Sequence, residues 1–382
     1  MTVGATIMSI VANAFTAAVV RQQGGPFQLE DIRIGAPRHD EVLVRIVAAG
    51  MCHTDMVARD QVYPVPQPIV LGHEGSGVVE AVGADVTKVA PGDHVVLTFL
   101  SCGQCRACLE GAPASCEQFN PLNFSGQRSD GSHALCDHSG TALNDRFFGQ
   151  SSFAAYAMAN ERNVVKVRQD VPLELLGPLG CGIQTGAGAV LNALKVGAGA
   201  SFAAFGGGAV GLSAILAARA AGATTIFAID VLPSRLELAR ELGATHVVDS
   251  REQDAVAVIR EVTGAGVDFA LDSTGIPAVI RSAVAALRPR GRCGIVGASR
   301  PGTNLELDAN DLMQNCKHIF GIVEGDSVPD VFIPQLIELY RQGHFAFDRL
   351  IRFYPFAQIN QAAHDSETGL TLKPVILIDT QG

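Results

Sequence analysis

The sequence contains no tryptophan, few charged residues and no run of basic residues. Only 17% of its 382 residues are charged, and the formal net charge is -10. Because binding to a phosphate backbone requires clustered lysine and arginine, nucleic acid is not expected as a partner. No stretch approaches the roughly 18 consecutive apolar residues that a membrane-spanning helix needs, so no membrane partner is expected either. The composition predicts a globular chain, and its length predicts two domains.

A basic signal-peptide region is also lacking at the N-terminus. Residues 1–20 carry no charged side chain, and the first arginine is Arg21. We interpret residues 1–13 as a frayed leader rather than a secretory signal. Without such a signal, the nine cysteines predict reduced thiols and metal binding instead of disulfides, and a cytosolic (cytoplasmic) location.

The second half of the chain alternates short apolar runs with helical patterns at intervals of about 20 to 25 residues, which predicts a parallel, doubly wound sheet. Helical patterns are clearest at Ala209–Ala221 and Pro277–Leu287. The predicted strands are Ser201–Phe205, Thr225–Asp230, His246–Asp249, Asp268–Ser273, Arg292–Gly297 and Lys317–Val323. Six such strands complete a dinucleotide-binding fold.

The first 185 residues have a different pattern. Short β-branched runs at Glu41–Ala49, Ile69–Val82 and His94–Phe99 are separated by turns and not by long helices. They predict an antiparallel, barrel-like domain. The tail contains a predicted helix, Phe332–Gln342, and a predicted strand, Pro374–Asp379, that would rejoin the first domain. The overall prediction is an α/β chain divided at 1–186, 187–324 and 325–382, with the sheet domain inserted into the barrel domain.

Four cysteines follow one another at a spacing typical of a closed metal site. They are Cys102, Cys105, Cys108 and Cys116, in the pattern Cys-x2-Cys-x2-Cys-x7-Cys. Four thiolates complete the tetrahedral coordination of Zn²⁺, so such a site is structural and leaves no position for a substrate. The chemistry is therefore expected elsewhere.

A glycine-rich motif follows the first predicted strand of the parallel sheet. Its six residues are Gly206, Gly207, Gly208, Ala209, Val210 and Gly211. The pattern Gly-x-Gly-x-x-Gly between a strand and a helix permits a tight turn that brings backbone N–H groups to a pyrophosphate. Asp230 ends the next strand, where its carboxylate would accept ribose hydroxyls and repel a 2'-phosphate, which favours NAD over NADP. Arg235 is placed to touch the ribose, although a solvated helix residue is nearly as consistent.

A second set of metal ligands is scattered along the first domain. His73 and Cys181 lie directly beside glycine, and Cys52 lies two residues after Gly50. A single buried cysteine is usually a small hydrophobe, but two cysteines and one histidine leave the fourth zinc position open. That arrangement is typical of a catalytic zinc that polarises an oxygen.

Together these motifs resemble the zinc-dependent alcohol dehydrogenases of the medium-chain family, from about residue 15 to the end. The resemblance implies a Rossmann domain inserted into a GroES-like catalytic domain, with NAD and two zinc ions per chain. It implies that Cys52, His73 and Cys181 bind the catalytic zinc and that the four-cysteine segment binds the structural one. Glu74 matches a carboxylate close behind the catalytic metal. Asp55 matches the carboxylate that orients the ligating histidine.

The resemblance also suggests how protons and cofactor are handled. Thr54 matches the hydroxyl that receives the alcohol proton. Many relatives have a proton-releasing histidine where this chain has Val57, so proton release is expected to use another route or water. His53 stands where relatives often carry a pyrophosphate-binding arginine, and either cofactor binding or a role as base is open to it. Lys373 matches another basic residue that contacts pyrophosphate, with a surface lysine as the alternative.

Within the family, the nearest resemblance is to bacterial aryl-alcohol (benzyl-alcohol) dehydrogenases, with geraniol-type enzymes almost as close. Phe99, Phe147 and Phe148 match segments that line the substrate pocket, although each also suits an ordinary core. The expected activity is reversible oxidation of a primary aromatic or allylic alcohol to its aldehyde. Alternatives are a glutathione-dependent formaldehyde dehydrogenase and a non-catalytic zinc- and nucleotide-binding protein. The long segment between Cys116 and Phe153 favours a homodimer over a tetramer.

Overall fold

A computed structural model of the protein describes residues 14–378. The leader predicted at residues 1–13 and the predicted end of the last strand at Asp379 lie outside these residues. Within the described part, no helix combines the length and apolar character needed to cross a membrane.

The described residues form two compact units that are made of several chain segments. The first contains the described residues up to Cys181, Val328–Pro334 and the chain from Leu350 onward, and the second contains Gly182–Ser327 and Gln335–Arg349. The strands are β1 (Phe15–Val20), β2 (Gln28–Ile34), β3 (Glu41–Gly50), β4 (Ile69–Val70), β5 (Glu74–Val82), β6 (His94–Leu97), β7 (Leu135–Asp137), β8 (Ala142–Leu143), β9 (Tyr156–Asn160), β10 (Val164–Lys166), β11 (Ser201–Phe205), β12 (Thr225–Asp230), β13 (His246–Asp249), β14 (Val267–Asp272), β15 (Leu287–Ile295), β16 (His318–Gly321), β17 (Ile351–Pro355) and β18 (Lys373–Leu377). The α-helices are α1 (His53–Arg59), α2 (Arg106–Leu109), α3 (Phe119–Phe124), α4 (Gly182–Gly188), α5 (Ala209–Ala220), α6 (Pro233–Leu242), α7 (Ala255–Thr263), α8 (Pro277–Ala285), α9 (Ala309–Gln314), α10 (Pro329–Arg341) and α11 (Ile359–Glu367).

The first unit is built from two sheets that are almost entirely antiparallel. One has the order β4-β1-β2-β7-β8, and the other runs β10-β6-β5-β3-β18-β17, with β9 also paired to β3. Val42, Leu43, Val44 and Ile46 of β3 and Val79 of β5 are buried in the same hydrophobic core. The late strand β18 pairs with β3 at Val375 and Gly50, so the end of the chain is part of the first unit's sheet.

The second unit contains a six-stranded sheet with the order β13-β12-β11-β14-β15-β16. Every pairing in it is parallel. Its central strand β11 has the sequence Ser-Phe-Ala-Ala-Phe and is buried apart from its first residue, as expected where helices cover both faces. The order of strands reverses beside β11, as in doubly wound dinucleotide-binding folds. The predicted combination of a barrel-like antiparallel domain and a parallel Rossmann sheet is confirmed.

One predicted strand is interrupted. The apolar run Ile69–Val82 forms two strands, β4 and β5, separated by Leu71, Gly72 and His73. Gly72 has a φ of +90°, and a Cβ there would lie 2.5 Å from the backbone nitrogen of Phe153. Only glycine fits a positive φ at such a close approach. The resulting turn places His73 immediately before β5 instead of within a strand.

Candidate functional site

The glycine motif forms a tight turn between β11 and α5. Gly206 has a φ of +103°, and a Cβ on Gly211 would lie 1.8 Å from the Gly206 carbonyl oxygen. A side chain at Gly211 would therefore prevent the helix from starting this close to the strand. Gly208 faces open space, with no heavy atom within 4 Å of its built Cβ position. The turn has an accessible backbone at the start of a 12-residue helix, as a pyrophosphate cradle requires.

Asp230 connects this turn to the end of β12. Its Oδ2 accepts a hydrogen bond from the Gly207 N–H at 2.6 Å. Its Oδ1 accepts from the N–H groups of Val231 (2.7 Å) and Leu232 (2.8 Å). Arg235 Nη1 lies 3.7 Å from Asp230 Oδ2. The structure thus brings the glycine turn, Asp230 and Arg235 together, with the carboxylate fixed by backbone donors.

In the first unit, four scattered residues converge to form a buried group of metal-binding atoms. Their ligand atoms, from Cys52, His73, Glu74 and Cys181, all lie within 4.8 Å of one another. His73 and Glu74 are completely buried, and Cys181 is 7% exposed. Cys52 precedes α1, and Cys181 follows a short turn, Gly177–Gly180, that packs on β5 and β6. Residues 129 positions apart in the sequence are therefore assembled by the sheet and its connections.

Asp55 fixes the orientation of His73. Its Oδ1 lies 3.0 Å from His73 Nδ1 and accepts from the Gly72 N–H at 3.0 Å, while Oδ2 accepts from the Cys52 N–H at 2.9 Å. With Nδ1–H donating to the carboxylate, Nε2 is left facing the two thiols. His73 Nε2 is buried and has no hydrogen-bond partner among the described residues. A buried polar atom without a partner is rare, and a cation bound by Nε2 and two thiolates satisfies it.

The protonation of these groups also suits a cation. The contact with Cys181 lowers the pKa of Cys52 well below its usual value; burial opposes this shift, and Lys373 and His73 support it. Burial alone would lower the pKa of His73, but the carboxylate of Asp55 raises it well above its usual value. Thiolate is the form of cysteine that binds metals, and neutral Nε2 is the form of histidine that does so. A bound cation would take the place of the proton on Nε2.

Glu74 and Lys373 form a buried ion pair beside the thiols. Lys373 Nζ donates to Glu74 Oε1 at 2.8 Å, to Glu74 Oε2 at 2.9 Å and to the Met51 carbonyl at 3.3 Å. Burial would lower the pKa of Lys373, but Glu74 and the nearby thiolates raise it above its usual value. Lys373 is 2% exposed, so a surface lysine is excluded. Its predicted contact with a pyrophosphate stays a prediction, and its recorded partners are Glu74 and Met51.

Gln150 supports the His73–Glu74 turn and was not among the residues that sequence reasoning selected. Its Nε2 donates to the His73 carbonyl at 2.9 Å, and its Oε1 accepts from the Gly75 N–H at 3.1 Å. It is 1% exposed and so holds the His73–Glu74 turn from within the core. A glutamine between a glycine and a serine has no spacing or motif that predicts this function.

The proton-handling residues lie at the start of α1. Thr54 Oγ1 is 3.6 Å from Cys52 Sγ, and Thr54 is half-buried. His53 is exposed and Val57 is half-buried on the same helix. The structure therefore places the Thr54 hydroxyl beside the Cys52 thiol, a candidate metal ligand, while the imidazole of His53 faces solvent.

Two of the three predicted pocket residues contact the metal-binding histidine. The Phe148 ring stacks on His73 with centroids 4.5 Å apart, and the Phe147 ring meets His73 edge-on at 5.4 Å. Phe99 packs instead on Phe119 at 5.7 Å. All three are buried. The rings surround the imidazole with apolar surface.

The four sequential cysteines also converge, in a segment with little burial. The sulfurs of Cys102, Cys105, Cys108 and Cys116 lie within 4.8 Å of one another, and only Cys116 is buried. Backbone N–H groups of Gln104 and Cys105 donate to Cys102 Sγ and lower the pKa of Cys102 to about 6. Burial raises the pKa of Cys116 to about 12. Four sulfurs in this arrangement fit a closed tetrahedral zinc site. We call the segment Cys102–Cys116 the cysteine lobe.

Comparisons with known proteins agree with this geometry. The family described as alcohol dehydrogenase GroES-like domain matches residues 38–169, and the family described as zinc-binding dehydrogenase matches residues 209–341. A geraniol dehydrogenase of Castellaniella defragrans is 53% identical over 363 residues, which cover 94% of this chain and 97% of that protein.

Solved structures give the same result. The benzyl alcohol dehydrogenase of Acinetobacter calcoaceticus is 55% identical with a TM-score of 0.94, covering 96% of this chain and 100% of that one. An alcohol dehydrogenase zinc-binding domain protein from Burkholderia ambifaria is 61% identical with a TM-score of 0.95, covering 96% and 99%. Three findings agree: the two family matches, the relatives that match over almost their whole length, and the two convergent cysteine sites. The chain therefore belongs to the zinc-dependent alcohol dehydrogenases.

Proposed function

We propose that this protein oxidises primary aromatic or allylic alcohols to aldehydes with NAD, and that each chain holds two zinc ions. The observation that carries the proposal is the unpartnered, buried Nε2 of His73 beside the thiols of Cys52 and Cys181. Three protein ligands leave one coordination position for the substrate oxygen. The cysteine lobe has four thiols of its own and holds the structural ion.

The residues of the buried site have separate tasks in the reaction. Cys52, His73 and Cys181 would hold the catalytic zinc, which would supply a Lewis acid for the alcohol oxygen. The glycine turn and Asp230 would hold NAD, which would supply the acceptor for a hydride from the alcohol carbon. The hydroxyl proton passes to Thr54 Oγ1 and from there to water, because Val57 supplies no imidazole. The products are the aldehyde, NADH and one proton.

Asp55 and the pair of Glu74 and Lys373 prepare the site without touching the substrate. Asp55 keeps the proton of His73 on Nδ1 and so keeps Nε2 free to bind. Lys373 holds both oxygens of Glu74, which keeps that carboxylate from competing with the substrate for the open position. His53 is left at the solvent-facing start of α1, where it serves as a final proton acceptor or contacts the cofactor.

The surroundings of His73 favour a flat, apolar alcohol. Phe147 and Phe148 contact the imidazole ring, and with Phe99 they supply the apolar wall for a ring or a conjugated chain. Flat groups gain contact area and stacking against such a wall. The similarity to a benzyl alcohol dehydrogenase and a geraniol dehydrogenase supports both the aromatic and the allylic substrate.

The preference for NAD rests on Asp230. Its carboxylate is fixed by three backbone donors and is 8% exposed, so it stays in place when a cofactor binds. A fixed negative charge accepts the ribose hydroxyls of NAD and repels the 2'-phosphate of NADP. We expect Asp230→Ser to raise the NADP/NAD ratio of kcat/KM at least about tenfold, which corresponds to roughly 1.4 kcal/mol. An unchanged ratio would mean that another residue selects the cofactor.

NADH formation at 340 nm tests the substrate class. The zinc-replete protein is assayed with benzyl alcohol, cinnamyl alcohol, geraniol, ethanol and hydroxymethylglutathione. We expect the highest kcat/KM with benzyl and cinnamyl alcohols, and a higher value for geraniol would identify the terpenoid alternative. Activity confined to hydroxymethylglutathione, or none with zinc and NAD bound, would refute the proposal.

We propose a homodimer as the assembled form. Strand β16 is the last strand of the parallel sheet, and its outer edge has no partner strand in the part of the chain that the structure describes. Such an edge pairs readily with a second copy. Light scattering after size-exclusion chromatography checks the mass, and twice the 39.9 kDa chain mass is expected.

A further inference from the structure

Arg162 reaches from the barrel of the first unit to the chain that enters the cysteine lobe. It lies in the turn Glu161–Asn163 between β9 and β10. Its Nε donates to the carbonyl oxygen of Ser101 at 3.0 Å, and its Nη2 lies 3.5 Å from Ser101 Oγ. Because Ser101 directly precedes Cys102, this contact fixes the backbone beside the first sulfur of the lobe.

Gly103, on the other side of Cys102, packs against the same guanidinium. A Cβ at Gly103 would lie 2.2 Å from Arg162 Cζ, 2.3 Å from Nη1 and 2.5 Å from Nη2. Gly103 has a φ of +73°, so both its conformation and its neighbour favour glycine. Arg162 thus contacts the residues on both sides of Cys102.

Within residues 14–378, no carboxylate forms an ion pair with Arg162. Among the described residues, its recorded side-chain hydrogen bonds go only to Ser101. The neighbouring Glu161 accepts instead from the N–H groups of Thr87 and Lys88. Arg106, which directly follows Cys105 in the sequence, is mostly exposed and pairs with Glu110. Arg162, by contrast, is held by the fold against Ser101 and Gly103 beside the lobe.

We propose that Arg162 is a positioning residue for the structural zinc, which makes this inference dependent on the proposed occupancy of the lobe. Four thiolates around Zn²⁺ carry a net charge of -2, and a cation fixed nearby favours that charge. The planar guanidinium both supplies the charge and holds Ser101 and Gly103 in the geometry that Cys102 needs. Residues that orient metal ligands typically change metal affinity by about 10- to 100-fold when they are replaced.

The test is the rate of zinc loss from the lobe in the zinc-loaded protein. Zinc release is followed with a colorimetric chelator at several concentrations. The release rate is extrapolated to zero chelator, so that attraction between the chelator and the arginine does not affect the value. Two proposed zinc sites should give two kinetic phases of release, and the phase that is absent in Cys105→Ser is assigned to the lobe. We expect Arg162→Gln to lose this zinc about tenfold faster or more, with the phase from the buried site unchanged.

Two further variants separate position from charge. Arg162→Lys keeps the charge without the planar fork, so it should fall between the wild type and Arg162→Gln. Arg106→Gln removes one positive charge from the same lobe and should change the rate less than twofold. Equal rates for Arg106→Gln and Arg162→Gln would overturn the inference and leave the proposed function standing. A wild-type chain that never holds a lobe zinc would overturn both.

A double-mutant cycle with Gly103→Ala tests the contact itself. Alone, the alanine methyl displaces the guanidinium, so zinc loss should accelerate to at least the Arg162→Gln rate. In the Arg162→Gln background the guanidinium is absent, so the same methyl displaces a smaller group. The further acceleration of zinc loss by Gly103→Ala should then be clearly smaller. Equal effects of Gly103→Ala in both backgrounds would show that strain at φ +73° acts alone, which contradicts the proposed contact.

Discussion

The two cysteine sites of this protein use similar ligands in opposite surroundings. The cysteine lobe takes all its ligands from 15 consecutive residues, three of its four cysteines are only partly buried, and backbone N–H groups donate to its sulfurs. The buried site takes Cys52, His73 and Cys181 from three distant segments and surrounds them with a carboxylate, an ion pair and aromatic rings. A local segment is sufficient to close a structural site, whereas an open site needs the whole fold to hold it.

The largest expected difference between the two sites is in the effect of removing one ligand from each, in two separate variants. We expect Cys181→Ser to bind one zinc instead of two and to lose kcat/KM by about 1000-fold or more, because the substrate loses its Lewis acid. Cys105→Ser should also bind one zinc but keep most of the activity per folded chain while unfolding at a lower temperature. Zinc analysis, NADH assays and calorimetry check this. Similar activity losses in both variants would contradict the assignment of one site as catalytic and the other as structural.

Thiol reactivity should differ within the lobe once its zinc is removed. The pKa of Cys102 is lowered to about 6, so it is mainly thiolate at pH 7.5, whereas that of Cys116 is raised to about 12. Since the thiolate is the nucleophile, iodoacetamide should label Cys102 on the order of 100-fold faster. Labelling of Cys102 should slow as the pH falls through about 6, because the proton then occupies the sulfur. Peptide mass spectrometry measures both rates, and equal labelling of the two cysteines would contradict this account.

Asp55 tests how much the buried site depends on its supporting residues. Asp55→Ala leaves His73 Nδ1 without its acceptor, so we expect zinc affinity of the buried site to fall about 10- to 100-fold while the lobe keeps its zinc. Asp60→Ala, at the other end of α1, is the matched control and should have little effect. Competition with a chelator gives both affinities. Equal weakening of the two sites in Asp55→Ala would point to general unfolding.

Val57 offers the smallest expected change. Val57→His adds an imidazole near the start of α1 and should change the pH dependence of hydride transfer, with rates changing about two- to threefold near the pKa of histidine. Pre-steady-state traces of NADH formation across pH 5.5 to 9 check it. An unchanged profile would mean that proton release does not pass along this helix.

The same contrast between local and distant ligands explains what the sequence predicted well. The spacing of Cys102 to Cys116 identified the lobe directly, and the alternation of strands and helices identified the parallel sheet. Five of its six strands begin and end within two residues of the predicted limits, whereas β15 starts at Leu287, five residues before the predicted Arg292. The glycine turn and Asp230 are also local, because consecutive parallel strands end at the same edge of a sheet. The scattered ligands needed a resemblance to a known family before they could be grouped.

Other features depend on packing that no local pattern records. The break between β4 and β5 follows from the close approach of Gly72 to Phe153, which lies 81 positions later. Lys373 pairs with Glu74 across 299 positions, and Gln150 reaches the His73 carbonyl across 77. Such contacts arise only when strands such as β18 and β3 are brought together. A buried lysine cannot be distinguished from an exposed one by its neighbours in the sequence.

The most direct test of the central claim uses cobalt in place of zinc at both sites. Visible spectra of the wild type, Cys181→Ser and Cys105→Ser assign the absorption bands to the buried site and to the lobe. Benzyl alcohol is then added in the presence of NAD. This account predicts that only the bands lost in Cys181→Ser change, because only the buried site has an open position. A change in the lobe bands alone, or in neither set while the enzyme turns over, would contradict it.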